Sequence, residues 1–113
     1  MPLLRNCSHA LVSLSKIEKY LLKPESSRRP VQSKIFIKFG YSVRNSISLQ
    51  TALIKVACEG KVVKQEYRPP FGTRVTMIGK CESPDKRNPK VLIGWFFDMN
   101  DDQNIPRLIT VIP

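Results

Sequence analysis

This 113-residue chain offers few arrangements of side chains for acid–base or nucleophilic chemistry. General acid–base catalysis most often uses histidine, and the only histidine is His9, in the amphipathic N-terminal segment. A Ser-His-Asp or Cys-His arrangement would also have to use His9, because each needs an imidazole beside its nucleophile. We therefore expect no catalytic residues and no enzymatic activity.

The three cysteines, Cys7, Cys58 and Cys81, are odd in number and far apart in the sequence. A disulfide framework uses an even number of cysteines, and a zinc site uses closely spaced pairs of Cys or His. Cys7 and His9 form one such pair, but the sequence has no second pair. The pattern therefore favours three reduced thiols and an intracellular place: the cytoplasm, a mitochondrion or a virion.

Sequence motifs for cofactors and metal ions are missing. The five glycines stand apart, so they form no glycine-rich phosphate loop. Asp98, Asn100 and Asp102 have the spacing with which a calcium loop opens, but Gln103 replaces its glycine and Ile109 its final glutamate. We therefore expect neither a cofactor nor a metal ion, and we interpret this segment as an acidic turn.

Positive charge is the most informative property of the sequence. Nineteen Lys and Arg stand against nine Asp and Glu, a net charge of +10, and the excess lies within residues 1–97. A chain this basic usually has an anionic partner, and binding to phosphates depends more on charge density than on detailed geometry. We expect that partner to be RNA or a nucleoprotein complex, and an acidic membrane surface is the alternative.

Eleven basic residues are candidates for contacts with phosphates, because they lie on the polar faces of predicted strands or in adjoining loops. They are Lys34, Lys38, Arg44, Lys61, Lys64, Arg68, Arg74, Lys80, Lys86, Arg87 and Lys90. Aromatic residues could add base stacking. Phe36, between two of these lysines, either stacks on a base or is buried under a helix, and the run Trp95-Phe96-Phe97 is either core or a stacking platform.

Hydrophobic periodicity indicates the elements that position these residues. Residues 34–44 alternate between apolar and polar side chains, which predicts a long, half-buried strand with a basic outer face. In contrast, the apolar spacing in 48–59 predicts a helix that Ser46 or Ser48 caps and that Gly60 ends in a left-handed conformation.

Four further strands are predicted, at residues 61–67, 73–81, 91–99 and 107–112. The third of these is the most hydrophobic and is expected to be central. The combination predicts an α+β fold, in which one helix covers a mainly antiparallel sheet of four to five strands and an amphipathic N-terminal helix precedes the sheet.

The N-terminal part divides into a predicted amphipathic helix over 1–23 and a polar linker over 24–33, ahead of a single α+β domain over 34–113. The apolar stripe of this helix could pack on its own domain, dock to a second copy or an assembly partner, or lie in a membrane surface. A mitochondrial targeting helix is another interpretation. The docking residues would be Leu3, Leu14, Ile17 and Leu21.

The order of features over about 35–106 resembles the core of rhabdovirus matrix proteins. The resemblance rests on Tyr41-Ser42-Val43-Arg44-Asn45-Ser46, on Arg68-Pro69-Pro70-Phe71 and on the acidic turn over 98–106. It implies a small, basic, non-enzymatic protein that bridges a nucleocapsid and the inner leaflet of an envelope. The Pro-Pro-x-Tyr motif is missing here, because Phe71 and Gly72 follow the two prolines.

The sequence therefore predicts a small basic structural or assembly protein that binds RNA or a nucleoprotein complex through a basic sheet face and loops. One alternative is a matrix-type peripheral membrane protein that self-associates. Another is a protein-binding module that inhibits a host factor through an exposed sheet edge.

Overall fold

Alternating apolar and polar residues build a four-stranded antiparallel sheet in the computed structural model, which describes residues 4–18, 22 and 30–112. Its strands follow one another in the order β1-β2-β3-β4. They are β1 (Lys61–Arg68), β2 (Gly72–Lys80), β3 (Lys90–Asp98) and β4 (Arg107–Ile112). The described helices are α1 (Leu14–Lys16), α2 (Pro30–Lys38) and α3 (Ser46–Glu59). The predicted α+β class is confirmed, and so are the four strands that follow α3.

Helix α3 forms where the sequence places an unbroken apolar stripe, and it packs against β2. Its five predicted core residues, Leu49, Ala52, Leu53, Val56 and Ala57, are all buried, which confirms this helix. They meet the inner face of the sheet, where alternate residues of β2 and β3 are buried: Val75, Met77, Val91, Ile93 and Trp95. Burial of these large side chains supplies the main hydrophobic stabilisation of the fold.

The predicted ends of α3 are wrong in detail. Gly60 has φ −74° and ψ −180°, so it is extended rather than left-handed. Glycine is needed there for space instead, because a Cβ would lie 2.7 Å from the carbonyl oxygen of Val56. At the other end, a reciprocal capping box between Ser42 and Asn45 begins a short 3₁₀ turn that leads into α3.

The predicted strand over residues 34–44 is wrong, because Lys34–Lys38 belong to α2. A Schellman motif ends this helix: Gly40 has φ +98°, its N–H donates to Ile37, and the N–H of Tyr41 donates to Phe36 over 3.3 Å. The rings of Phe36 and Tyr41 then meet edge to face, with their centroids 6.3 Å apart. Phe36 is therefore core, and Ile37, an apolar residue of the alternating pattern and so expected to face inward, is exposed.

We expect Gly40→Ala to lower the free energy of unfolding by about 1–2 kcal/mol, because alanine resists the left-handed conformation that ends α2. Its Cβ would also lie 3.0 Å from Cβ of Pro84. Urea unfolding followed by circular dichroism measures the change. Ser48→Ala, at an exposed position of α3, is the control. Equal stability of the two variants would contradict the prediction.

The described part of the N-terminal segment is not the single helix that we predicted over 1–23. Asn6 is left-handed with φ 56°, Cys7–His9 form a 3₁₀ turn, and Leu11 pairs with Arg107 at the edge of β4. This backbone is held by the domain that it covers, and Leu4, Val12 and Ile17, among other residues, join the common core. None of the described helices is long and apolar enough to cross a membrane.

The predicted bounds of the linker, 24–33, are also wrong, because Pro30 and the three residues after it form the first turn of α2. Proline suits this position, since its fixed φ is helical and the first turn needs no N–H donor. The remainder of the predicted linker, 24–29, lies outside the described residues.

The prediction of three reduced thiols is wrong. Cys7 and Cys58 form a disulfide with their Cα atoms 5.1 Å apart, and Cys81 is the free, buried cysteine. The bond joins the 3₁₀ turn to α3 across a sequence separation of 51 residues. It also removes the argument from free thiols for a reducing compartment.

We expect reduction of the Cys7–Cys58 bond to lower the free energy of unfolding by about 2–5 kcal/mol, because the unfolded chain regains the freedom of a long loop. Urea unfolding with and without dithiothreitol measures this difference. The double variant Cys7→Ser, Cys58→Ser should not respond to the reductant. An unchanged midpoint for the reduced wild-type protein would contradict the prediction.

Candidate nucleic-acid interface

One face of the sheet is covered by the core, and the other, which we call the open face, has none of the three described helices packed on it. The strand registers place three rows of side chains across it. From β1 to β4 these rows are Glu66, Arg74, Phe96 and Arg107; then Lys64, Thr76, Gly94 and Thr110; then Lys61, Ile78, Leu92 and Ile112. Arg68, Gly72 and Asp98 lie beyond the first row, and Lys80 and Lys90 beyond the third.

The open face is strongly basic. Seven of its side chains are cations and two are carboxylates, Glu66 and Asp98. Six of the cations were predicted as phosphate contacts: Lys61, Lys64, Arg68, Arg74, Lys80 and Lys90. The seventh is Arg107, which sequence reasoning missed because it opens a short strand in the acidic part of the chain. The register opposite Phe96 places it here.

Most of these cations are free of ion pairs. Glu66 accepts a hydrogen bond of 2.8 Å from Arg68 and lies 3.6 Å from the ammonium of Lys64, and these cations lower the pKa of its carboxyl group. Among the described residues the other five make no ion pair: Lys61, Arg74, Lys80, Lys90 and Arg107. The face therefore keeps a positive surplus that an anionic ligand could neutralise.

Two glycines let large side chains lie close to the backbone of the open face. A Cβ at Gly94 would be 3.1 Å from Nη2 of Arg74, so the guanidinium occupies the space above β3. A Cβ at Gly72 would be 3.0 Å from Cε2 and Cζ of Phe96, so the ring lies over β2. Both side chains are half-buried, and their exposed parts are presented side by side.

The other predicted phosphate contacts lie elsewhere. Lys34, Lys38 and Arg44 are exposed on the helical side of the molecule, so the structure does not join them to the open face. Lys86 is exposed in the loop after β2. In the same loop Arg87 is already engaged, because it pairs with Asp85 at 2.5 Å, donates to the carbonyl of Lys38 over 2.8 Å and lies 4.5 Å above the ring of Phe39.

The predicted docking residues of the N-terminal segment do not form a free apolar stripe. Ile17 is fully buried in the protein's own core, and Leu14 is half-buried. Leu3 and Leu21 lie outside the described residues. The prediction that Ile17 docks to a partner or a membrane is therefore wrong.

A cleft of about 290 Å³ lies between the end of α3 and the end of β2. Its charges are largely matched, because Lys55 pairs with Glu82 and lies 4.0 Å from Glu59, and the hydrogen bond with Glu82 raises the pKa of Lys55. Its other cation is Lys80, which already belongs to the open face, so the cleft adds no further unpaired cation to that surface.

Among the described residues, the side chains that could react chemically are not gathered on one surface as the cations of the open face are. His9 is exposed in the 3₁₀ turn, whereas Cys81 is buried and its thiol lies 3.2 Å from the hydroxyl of Tyr41. Burial raises the pKa of Cys81, which keeps it as an unreactive thiol.

The carboxylates of the acidic turn bind the backbone of the turn itself. Asp98 and Asp101 accept hydrogen bonds from backbone N–H groups two to four residues later.

We expect the free energy of unfolding to fall as the pH rises past 10. Burial, and then the hydrogen bond with Cys81, raise the pKa of Tyr41 above its ordinary value of 10.0. The tyrosine thus ionises first in the unfolded chain, and its stabilising contribution, complete at lower pH, is lost in alkali. Urea midpoints between pH 8 and 11 measure the decline. Tyr41→Phe should reduce it, while Tyr67→Phe, at an exposed position, should leave it unchanged.

A decline of the same size in Tyr41→Phe and in the wild-type protein would contradict this assignment. Burial also raises the pKa of the Cys81 thiol, which therefore contributes to the decline in this range, and the Tyr67→Phe control keeps that contribution. The difference between the two variants therefore reports the buried Tyr41 hydroxyl together with its hydrogen bond to Cys81.

Comparison with known proteins places the chain in one family. No curated protein and no solved structure matches it significantly. A family model described as "Domain of unknown function (DUF6883)" matches residues 3–113, nearly the whole sequence, including all four strands and the three described helices. The chain therefore belongs to the DUF6883 family.

Proposed function

We propose that this protein is a small, non-enzymatic structural or assembly protein that binds RNA, free or in a nucleoprotein complex, through the open face. The observation that supports this best is the collection of seven cations on one sheet face that no described helix covers, five of them without an ion pair among the described residues. Phosphates that bind there release counterions, and this release drives association.

The shape of the surface suits a chain-like polyanion. The cations are spread over four strands that lie about 4.8 Å apart, so they form a broad field rather than one pocket. Apolar side chains such as Ile78 and Leu92, each 37% exposed, lie among them. A nucleic acid offers both kinds of contact, because it carries phosphates on its backbone and apolar faces on its bases.

A protein that binds RNA would be located in the cytoplasm, a mitochondrion or a virion. In the reducing cytoplasm the Cys7–Cys58 bond would open, whereas an oxidising place would preserve it. A second copy of the chain could bind the same RNA, which would give self-association without a large protein interface. The matrix-type alternative uses the same basic face for acidic lipid, so a membrane arm belongs in the test.

We expect the double variant Arg74→Gln, Arg107→Gln to weaken RNA binding at 100 mM salt. In a plot of log affinity against log salt it should make the slope shallower by about 1.4, because two phosphate contacts are lost. Fluorescence anisotropy with a labelled 12-nucleotide RNA measures both quantities. Lys34→Gln, Arg44→Gln removes the same charge from the helical side and is the matched control.

Equal losses in the two double variants would show that net charge, not the open face, attracts RNA, and this would overturn the proposal. Stronger binding to vesicles containing phosphatidylserine than to RNA would favour the matrix-type alternative. Binding to neither RNA nor vesicles at physiological salt would also overturn the proposal. The hypothesis of a protein partner would then remain.

A further inference from the structure

We propose that the open face selects single-stranded over double-stranded RNA, because Phe96 stacks on an unpaired base while Arg74 and Arg107 hold the phosphates beside it. This inference rests on the proposed function and adds the form of RNA that the face accepts. The observation behind it is one row across three strands, in which an aromatic ring stands between two guanidinium groups.

The row is set by strand register. Arg74 pairs with Phe96, and Phe96 pairs with Arg107, so the three side chains leave the same face of neighbouring strands. The Cα atoms of the two arginines are about 10 Å apart, twice the distance between strands. A base on the ring would therefore have a cation on each side.

The ring and one guanidinium lie close against the backbone, which restricts their rotamers. The ring of Phe96 lies over Gly72 and the guanidinium of Arg74 over Gly94, in spaces that a Cβ would fill. Side chains fixed in this way lose little conformational entropy when a ligand binds. Arg74 also has no ion pair or hydrogen-bond acceptor among the described residues, so its donors remain free for phosphate.

The orientation of the aromatic run supports a role for Phe96 alone. Trp95 is fully buried, and Phe97 packs against the core from the inner face. Phe96 is half-buried and lies on the open face, beside the hydroxyl-bearing row of Thr76 and Thr110. An unpaired base can place its flat face on such a ring, whereas in a duplex the bases are already stacked on one another.

The test compares binding of the full chain to an unstructured 12-nucleotide RNA and to a 12-base-pair RNA duplex at the same salt concentration. A duplex carries more charge, so electrostatics alone would favour it. We expect the wild-type protein to bind the single strand about 5–30-fold more tightly. Phe96→Leu should remove that preference and leave the duplex affinity unchanged, and Phe97→Leu is the matched control on the inner face.

A cross-linking experiment needs no variant. An RNA containing 4-thiouridine should cross-link under ultraviolet light to a peptide that contains Phe96, and mass spectrometry can locate the modified residue. Cross-links confined to peptides of α2 or the N-terminal segment would overturn the inference even if Phe96→Leu fails to fold.

The outcomes separate this inference from the proposed function. Equal binding of single strand and duplex, or a preference that Phe96→Leu retains, overturns the stacking role and leaves the basic open face intact as an RNA-binding surface. Binding to neither RNA overturns both. Loss of the preference in Phe96→Leu alone supports both.

Discussion

The packing of α3 on β2, within the core that covers the inner face of the sheet, decides which side chains of the sheet meet the solvent. Val75, Met77, Ile93 and Trp95, on the inner face, are at most 2% exposed. Because strand side chains alternate, burial of this set turns Arg74 and its neighbours to the other side. A register slip of one residue would bury several unpaired cations, at a cost of several kcal/mol each. The basic face is therefore a consequence of how the core packs.

Glycines let neighbouring groups lie close to the sheet backbone on both of its faces. On the inner face, a Cβ at Gly79 would lie 2.9 Å from Cγ1 of Val56, so α3 rests almost on the backbone of β2. On the open face, Gly94 makes room for a guanidinium. The same property, the lack of a side chain, thus lets α3 pack closely on one side and leaves room for the side chain of Arg74 on the other. In the sequence these glycines are too far apart to form a motif. Only the folded structure places each of them beside the group that lies over it.

Sequence reasoning predicted the sheet and α3 because their periodicity agrees with their burial, and it therefore found six of the seven cations of the open face. It failed at 34–38, where helical and alternating patterns both fit a short run. Gly40 was the available clue, since glycine weakens a strand interior but ends a helix readily when an apolar residue follows. The Cys7–Cys58 bond was missed for another reason: an odd count excludes a complete framework but not a single bond, and only the fold brings Cys7 to α3.

The edges of the sheet bear on the rival hypothesis of a protein-binding module. The edge of β4 is occupied, because Leu11 exchanges backbone hydrogen bonds with Pro106 and Leu108 and the ammonium of Lys16 donates to the carbonyls of Leu108 and Ile109. The edge of β1 carries exposed lysines and a bulge between Val62 and Lys64. Charged and bulged edges resist the addition of another strand. Neither edge is therefore suited to pair with a partner's strand, and this weighs in favour of the open face as the surface that binds.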